Sequence, residues 1–157
     1  SFARMPEAEI KLDNLSQCLK ESYQLYNSSR KDINLNLKII KNDIYFQFDK
    51  LQISRCFNNL IKNAIEAVEK IPNPIIEIRL NTSQNIIIIE IIDNGVGIDD
   101  KMSGKIFEPY FTTKSKGTGL GLSIVKRIIE DHGGKIKIEK NKNMAGTTAL
   151  IKFNYNE

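Results

Sequence analysis

Two apolar runs, "IIEIRL" and "NIIIIEII", occupy residues 75–92 with only "NTSQ" between them. Branched aliphatic runs of this length, split by a polar tetrapeptide, read as a β-hairpin. That hairpin anchors the class: a sheet, with helices to cover one face. "INLNLKII" alternates and reads as a strand, "IYFQF" as a second short one. "KIKIEK" and "TTALIKF" flank "NKNMAG" as a last hairpin. Three stretches predict helices. The first runs over 14–26, capped by Asp13, with Leu15, Cys18, Leu19, Tyr23 and Tyr26 inward. The second runs over 51–70, capped by Asp49 and stopping before Pro72 and Pro74. The third runs over 119–131 and ends at His132-Gly133-Gly134. Residues 1–12, with Pro6, read as an entering linker. Three helices and five or six strands, joined mostly as hairpins, predict an α+β two-layer sandwich.

At 157 residues and 41% hydrophobic content the chain is one domain with a real core. Its 23 basic and 19 acidic residues leave a net charge of +4, compatible with a phosphorylated small ligand and too weak to argue for nucleic acid. Cys18 and Cys56 form no C-x-x-C, so a zinc site or disulfide framework is not expected; each reads as a small buried hydrophobe in a reducing compartment. The longest apolar run is broken by Glu90 and too short to span a bilayer, and no signal peptide is visible. The start at "SFARMP", without Met, reads as that of a processed or an engineered fragment.

Five of the 9 glycines fall in "DNGVGID", residues 93–99, and "KGTGLGLS", residues 116–123. Asp93 stands where an apolar strand ends. There a carboxylate can accept from an exocyclic amine in an aliphatic pocket, and Gly95 and Gly97 let backbone turn sharply or approach a ligand. A plain Asn-Gly turn is the competing reading. "GTGLGLS" opens a helix, whose free N–H groups and positive dipole end favour phosphate. It matches neither the G-x-x-x-x-G-K-[ST] nor the G-x-G-x-x-G pattern. On the second helix, Ile53, Phe57, Leu60, Ile61, Ala64, Ile65 and Val68 share one face. Asn59, Asn63 and Glu66 form a column on the opposite side. That column is either a solvated face or, since two mid-helix asparagines call for a reason, a ligand-facing one whose amide oxygens suit a hard cation.

In order, "NNLIKNAIEA", "DNGVGI", "IFEPYFTTKSKGTGLGLSIVKRIIEDHGG" and "AGTTALIKF" resemble the ATP-binding catalytic domain of bacterial sensor histidine kinases. That domain belongs to the wider GHKL group that includes gyrase, Hsp90 and MutL ATPases. The resemblance covers residues 10–153, and "EPYFTTKSKGTGLGLSIVK" and "SFARMP" look like NtrY-type nitrogen-regulation sensor kinases. It implies a Bergerat-type sandwich with a mixed, mostly antiparallel sheet and about three helices on one face. It implies ATP and Mg²⁺ as ligands, a linker over residues 1–10 from a missing phosphoacceptor domain, and an ATP-binding domain over 11–157 with a lid over about 98–116.

Residue by residue, the resemblance makes Asn63 the magnesium ligand and Asn59 the polar position facing the phosphates. Asp93 would bond the adenine amine, with Gly95, Gly97 and Ile98 beneath the base and at the start of the lid. Phe107 and Phe111 match the aromatic box, and Thr113, Lys114 and Lys116 are lid candidates for phosphate. Gly117, Thr118, Gly119, Leu120, Gly121 and Leu122 match the second glycine box, and Thr147 or Thr148 a hydroxyl near adenine. Phe107, Tyr110 and Phe111 could also simply pack a loop, and Lys101, Lys105, Lys114 and Lys116 be ordinary solvated charge.

Two departures matter. Gyrase-like members carry a water-activating Glu where this chain has Asn59, which disfavours hydrolysis and favours transfer to another acceptor. Glu66 stands where many of these kinases place a basic residue. His132, the sole histidine, sits at a helix end and reads as a capping group, so self-phosphorylation is not expected. The implied function is γ-phosphoryl donation to a histidine on a separate dimerisation domain, with a response regulator as indirect partner. The chain would be the cytoplasmic part of a membrane-anchored kinase, and monomeric when isolated. The alternatives are a GHKL-type ATPase or a nucleotide-binding regulatory module.

Overall fold

The structure, a computed structural model, describes residues 6–109, 111 and 121–156. Among them are seven strands and three helices: β1 (Lys11–Asn14), α1 (Leu15–Ser29), β2 (Asn34–Ile39), β3 (Tyr45–Phe48), α2 (Lys50–Ala67), β4 (Ile75–Ser83), β5 (Ile86–Asp93), α3 (Gly121–Asp131), β6 (Lys135–Lys140) and β7 (Thr147–Asn154). The main sheet has the order β2-β4-β5-β7-β6; only β2–β4 is parallel. One sheet face alternates into the core through Ile76, Ile78 and Leu80 of β4, Ile87, Ile89 and Ile91 of β5, and Ala149, Ile151 and Phe153 of β7. The intervening positions are half-buried to exposed and mix charge with aliphatics: Glu77 and Arg79 of β4 neighbour Ile88 and Ile92 of β5, and Lys38 of β2 bonds Glu77 at 3.0 Å. The three helices cover the buried face, as a half-solvated sheet requires.

Several expectations shift in detail. The entering segment is structured from residue 11, because β1 pairs with β3 in a separate two-stranded sheet. That small sheet docks on the large one through Phe46, whose ring lies 5.2 Å from Phe153. The cap of α1 is Asn14, not Asp13: strand pairing continues to residue 14, and the Asn14 side chain then accepts from Gln17 N. The central hairpin turns on Gln84–Asn85, both at positive φ, rather than on "NTSQ" as a whole; Thr82 and Ser83 still pair with Ile87 and Ile86. α2 begins on its Asp49 cap and closes at Ala67, three residues short of Lys70.

Both cysteines are buried free thiols. Burial pushes the Cys56 thiol up to about 12. Among the described residues no helix is long and apolar enough to cross a membrane.

Candidate functional site

β5 places Asp93 at the inward position that follows Ile87, Ile89 and Ile91, so a carboxylate continues a wall of isoleucine. Asp93 is 6% exposed. Its Oδ1 accepts from Gly95 N at 2.9 Å and from Thr147 N at 3.3 Å. Its Oδ2 accepts from no described residue. Burial pushes this carboxyl above the usual carboxylate range, and the two backbone donors offset part of the rise. A buried carboxylate with one oxygen saturated and one left for a ligand is an acceptor for an amine N–H.

The turn after Asp93 rests on the end of α2. Val96 N donates to Ala67 O at 3.1 Å, and a Cβ on Gly95 would collide with that same carbonyl. Asn63 lies one turn before Ala67 and Asn59 one turn before that. The three form a single stripe whose ends are about 12 Å apart at 1.5 Å per residue. Asn63 Nδ2 donates to Asn59 Oδ1 at 3.3 Å. At the far end of the stripe, α3 begins: a Cβ on Gly121 would lie 2.8 Å from Asn59 Nδ2. One helix face thus joins the turn after the carboxylate, the amide pair and Gly121, the last glycine of the second motif and the first residue of α3.

α3 is held along α2 at its other end as well. His132 accepts at Nε2 from Asp49 N at 3.0 Å, and its Nδ1 meets Ile128 O at 2.7 Å. Asp49 in turn caps α2 through Gln52 N and takes Glu9 N at 2.7 Å. Its burial works against ionisation, but the donors Gln52, Glu9 and Leu51 outweigh it and hold the carboxyl below the usual range.

Of the remaining sequence candidates, Gly97 and Ile98 follow the Gly95 turn half-buried. Phe107 lies in a run of tight turns, its ring 5.3 Å from Lys126 Nζ of α3, and Phe111 N donates to Glu108 O. Leu122 packs against the core from the first turn of α3. Thr147 sits beside Asp93, whereas the Thr148 hydroxyl donates to Asn141 Oδ1 at 2.6 Å. Thr113, Lys114, Lys116, Gly117, Thr118, Gly119 and Leu120, with Tyr110, lie outside the described residues. Glu66 stands close enough to Tyr26 of α1 to raise that phenol, second to the effect of burial.

Sequence reasoning missed two sets of residues. Arg55 and Lys62 help line a groove of about 420 Å³ that includes Asn59, giving two cations beside that amide. Asn59 and Lys62 are three positions apart and Arg55 and Asn59 four, so helical spacing could have found them. Asn141 and Gly146 touch the Asp93 backbone from 48 residues or more away, and no local pattern announces that contact.

A metal at the stripe would be held through amide oxygen, the hard donor type Mg²⁺ takes, together with the oxygens of a ligand. Among the described residues no group of three or more His, Cys, Asp or Glu side chains gathers into an all-protein cage. The donor set therefore fits a cation carried in with phosphate.

Residues 48–157 match the family model described as histidine kinase-, DNA gyrase B-, and HSP90-like ATPase. The nitrogen regulation protein NtrY of Azorhizobium caulinodans is 34% identical over 143 residues, which is 88% of this chain and 18% of that protein's length. The catalytic domain of the histidine kinase ThkA is 33% identical, with a TM-score of 0.83 over 95% of this chain and 99% of that one. ThkA in complex with the response regulator TrrA superposes with a TM-score of 0.79 at 29% identity, covering 94% of this chain and 42% of that one. The sandwich, the stripe on α2 and these likenesses agree: the chain belongs to the family of histidine kinase-, DNA gyrase B- and HSP90-like ATPases.

Proposed function

We propose that this chain binds Mg-ATP and donates the γ-phosphoryl group to a histidine on a separate dimerisation domain, as the catalytic part of a two-component sensor histidine kinase. The observation that carries the reading is the α2 stripe. It sets Asn59 and Asn63 between the buried carboxylate of Asp93 and the start of α3. Asp93 Oδ2 takes the adenine amine. Asn59 and Asn63 face the phosphates, Asn63 offering its amide oxygen to magnesium. Arg55 and Lys62 add positive charge along the same helix. Bound Mg²⁺ would neutralise charge shared between phosphate oxygens. What the chain itself contributes is position, since phosphoryl transfer asks for alignment and charge neutralisation more than covalent chemistry. Position 59 is an Asn where the hydrolysing members carry a water-activating Glu, which favours transfer over hydrolysis.

The likeness to NtrY and to a kinase solved with a response regulator supports a phosphorelay, with the acceptor histidine, a response regulator and any membrane anchor outside this chain. Residues 98–116 act as the lid, and the segment before residue 11 as the link to the acceptor domain.

Calorimetric titration with a non-hydrolysable ATP analogue, with and without Mg²⁺, tests the reading. Affinity should rise with the metal in the parent chain and lose that dependence in Asn63→Ala. The variant should also fail to phosphorylate an added acceptor domain; a variant that still does so would overturn the assignment of Asn63.

A further inference from the structure

The six-residue turn between β6 and β7, "NKNMAG", reads locally as an ordinary hairpin loop. In the fold it is fastened to the last residue of β5. The Asn141 amide nitrogen donates to the main-chain carbonyl of Asp93 at 2.7 Å and to Ala145 O at 3.1 Å. Its amide oxygen accepts from the Thr148 hydroxyl at 2.6 Å, which fixes which end of the amide faces Asp93. Asn141 N closes the turn onto Gly146 O at 3.1 Å. Gly146 itself sits at φ +102 and presses against the Asp93 carbonyl so closely that a Cβ there would overlap it. The residue after Gly146 is Thr147, whose N–H reaches Asp93 Oδ1.

On the opposite side, Asn94 does the matching work towards β4. Its side chain accepts from Ile75 N at 2.9 Å and donates to Asn73 O at 2.8 Å. The end of β5 is therefore tied on both sides by asparagine side chains, its own Asn94 towards β4 and Asn141 from the β6–β7 turn. The Asn94 grip holds the strand's path. The Asn141 grip holds the Asp93 peptide and, through the turn, the Thr147 donor that saturates Oδ1. Together with Gly95 N, that donor determines which carboxylate oxygen is left to a ligand. It is the longer of the two bonds, and so the one most exposed to a shift of the turn.

We propose that Asn141 is the positioning residue for the base-reading carboxylate: by tying the β6–β7 turn to the Asp93 carbonyl it sets the orientation in which Asp93 Oδ2 meets the nucleotide's exocyclic amine. The proposal rests on the assignment of Asp93 made above. A loop that merely supports the fold would affect every nucleotide alike. A residue that aims one oxygen at one amine affects only nucleotides that carry it.

The test compares ATP with purine riboside triphosphate, which lacks the amine, by calorimetry on the whole chain. Asn141→Asp keeps the shape and the bond from Thr148 but removes both donors; Asn141→Ala removes the side chain. In each, affinity for ATP should fall about tenfold while affinity for the deamino analogue stays within about twofold. Thr148→Val frees the amide to turn over and should give the same selective loss in smaller measure, so the proposal remains testable should the Asn141 variants fold poorly. Equal losses for both nucleotides, or none for either, would overturn it. Asp93→Asn is measured alongside. Should that variant keep the parent preference for ATP, the reading of Asp93 itself fails and the present inference with it; should it lose the preference while the Asn141 variants keep it, only the role of Asn141 falls.

Discussion

At the scale of single residues, the folding environment of Asp93 opposes the role proposed for it. Burial among isoleucines works against its charge, and two backbone N–H groups recover only part of the loss. Its folded pKa lies above its unfolded one, so ionising it opposes folding. The penalty is absent well below the ordinary value of 3.8, grows as pH rises from there through the raised folded value, and is complete at neutral pH. Asp93→Asn removes the charge and retains an oxygen for Gly95 N. The unliganded variant should therefore melt at or above the parent temperature at neutral pH, and closer to it in acid. Its affinity for ATP should fall by about 1.5–3 kcal/mol, the usual worth of a hydrogen bond to a charged group. A variant that both melts several degrees lower and binds ATP normally would show the carboxylate to be structural. Such opposition between stability and ligand chemistry is common where a polar group is placed for use.

At the scale of elements, α2 and α3 are the pair that matters. They are pinned at one end by the approach of Gly121 to Asn59 and at the other by His132 on Asp49. Between the pins, Cys56 and Val125 meet in the core. Added bulk at the Gly121 end has to displace either the helix or the Asn59 amide, and the amide is the softer of the two. Gly121→Ala should thus lower Mg-nucleotide affinity by tenfold or more, about 1.4 kcal/mol, while urea unfolding changes by less than about 1 kcal/mol. A comparable loss in both measurements would mean that α3 moved as a body.

For the molecule as a whole, what was legible in the sequence was what repeats at short range. Aliphatic runs split by a short polar turn announced the central hairpin, and the apolar face of α2 announced the helix layer, because each pattern is complete within about twenty residues. Asp49 was legible as a cap for the same reason. β1 was not: "KLDN" is mostly polar and at most half-buried, and it is a strand only through its pairing with β3, some 35 residues on. The cap of α1 moved by one residue for that reason too, since pairing with β3 holds Asp13 extended. The glycine motifs and the asparagine column raised a ligand beside a plain turn and a solvated face, but the grip of Asn141 on Asp93 joins positions on different strands and becomes visible only once the sheet is assembled.

His132 has both ring nitrogens occupied, one by a helix carbonyl and the other by the Asp49 backbone. No imidazole lone pair stands ready to become a phosphoramidate. Incubated with radiolabelled ATP, the polypeptide should stay dark on an acid-sensitive gel assay until a separate acceptor is mixed in. Every count on the acceptor would then report one-way delivery, and the rate of transfer could be read directly, without correcting for a donor that marks itself.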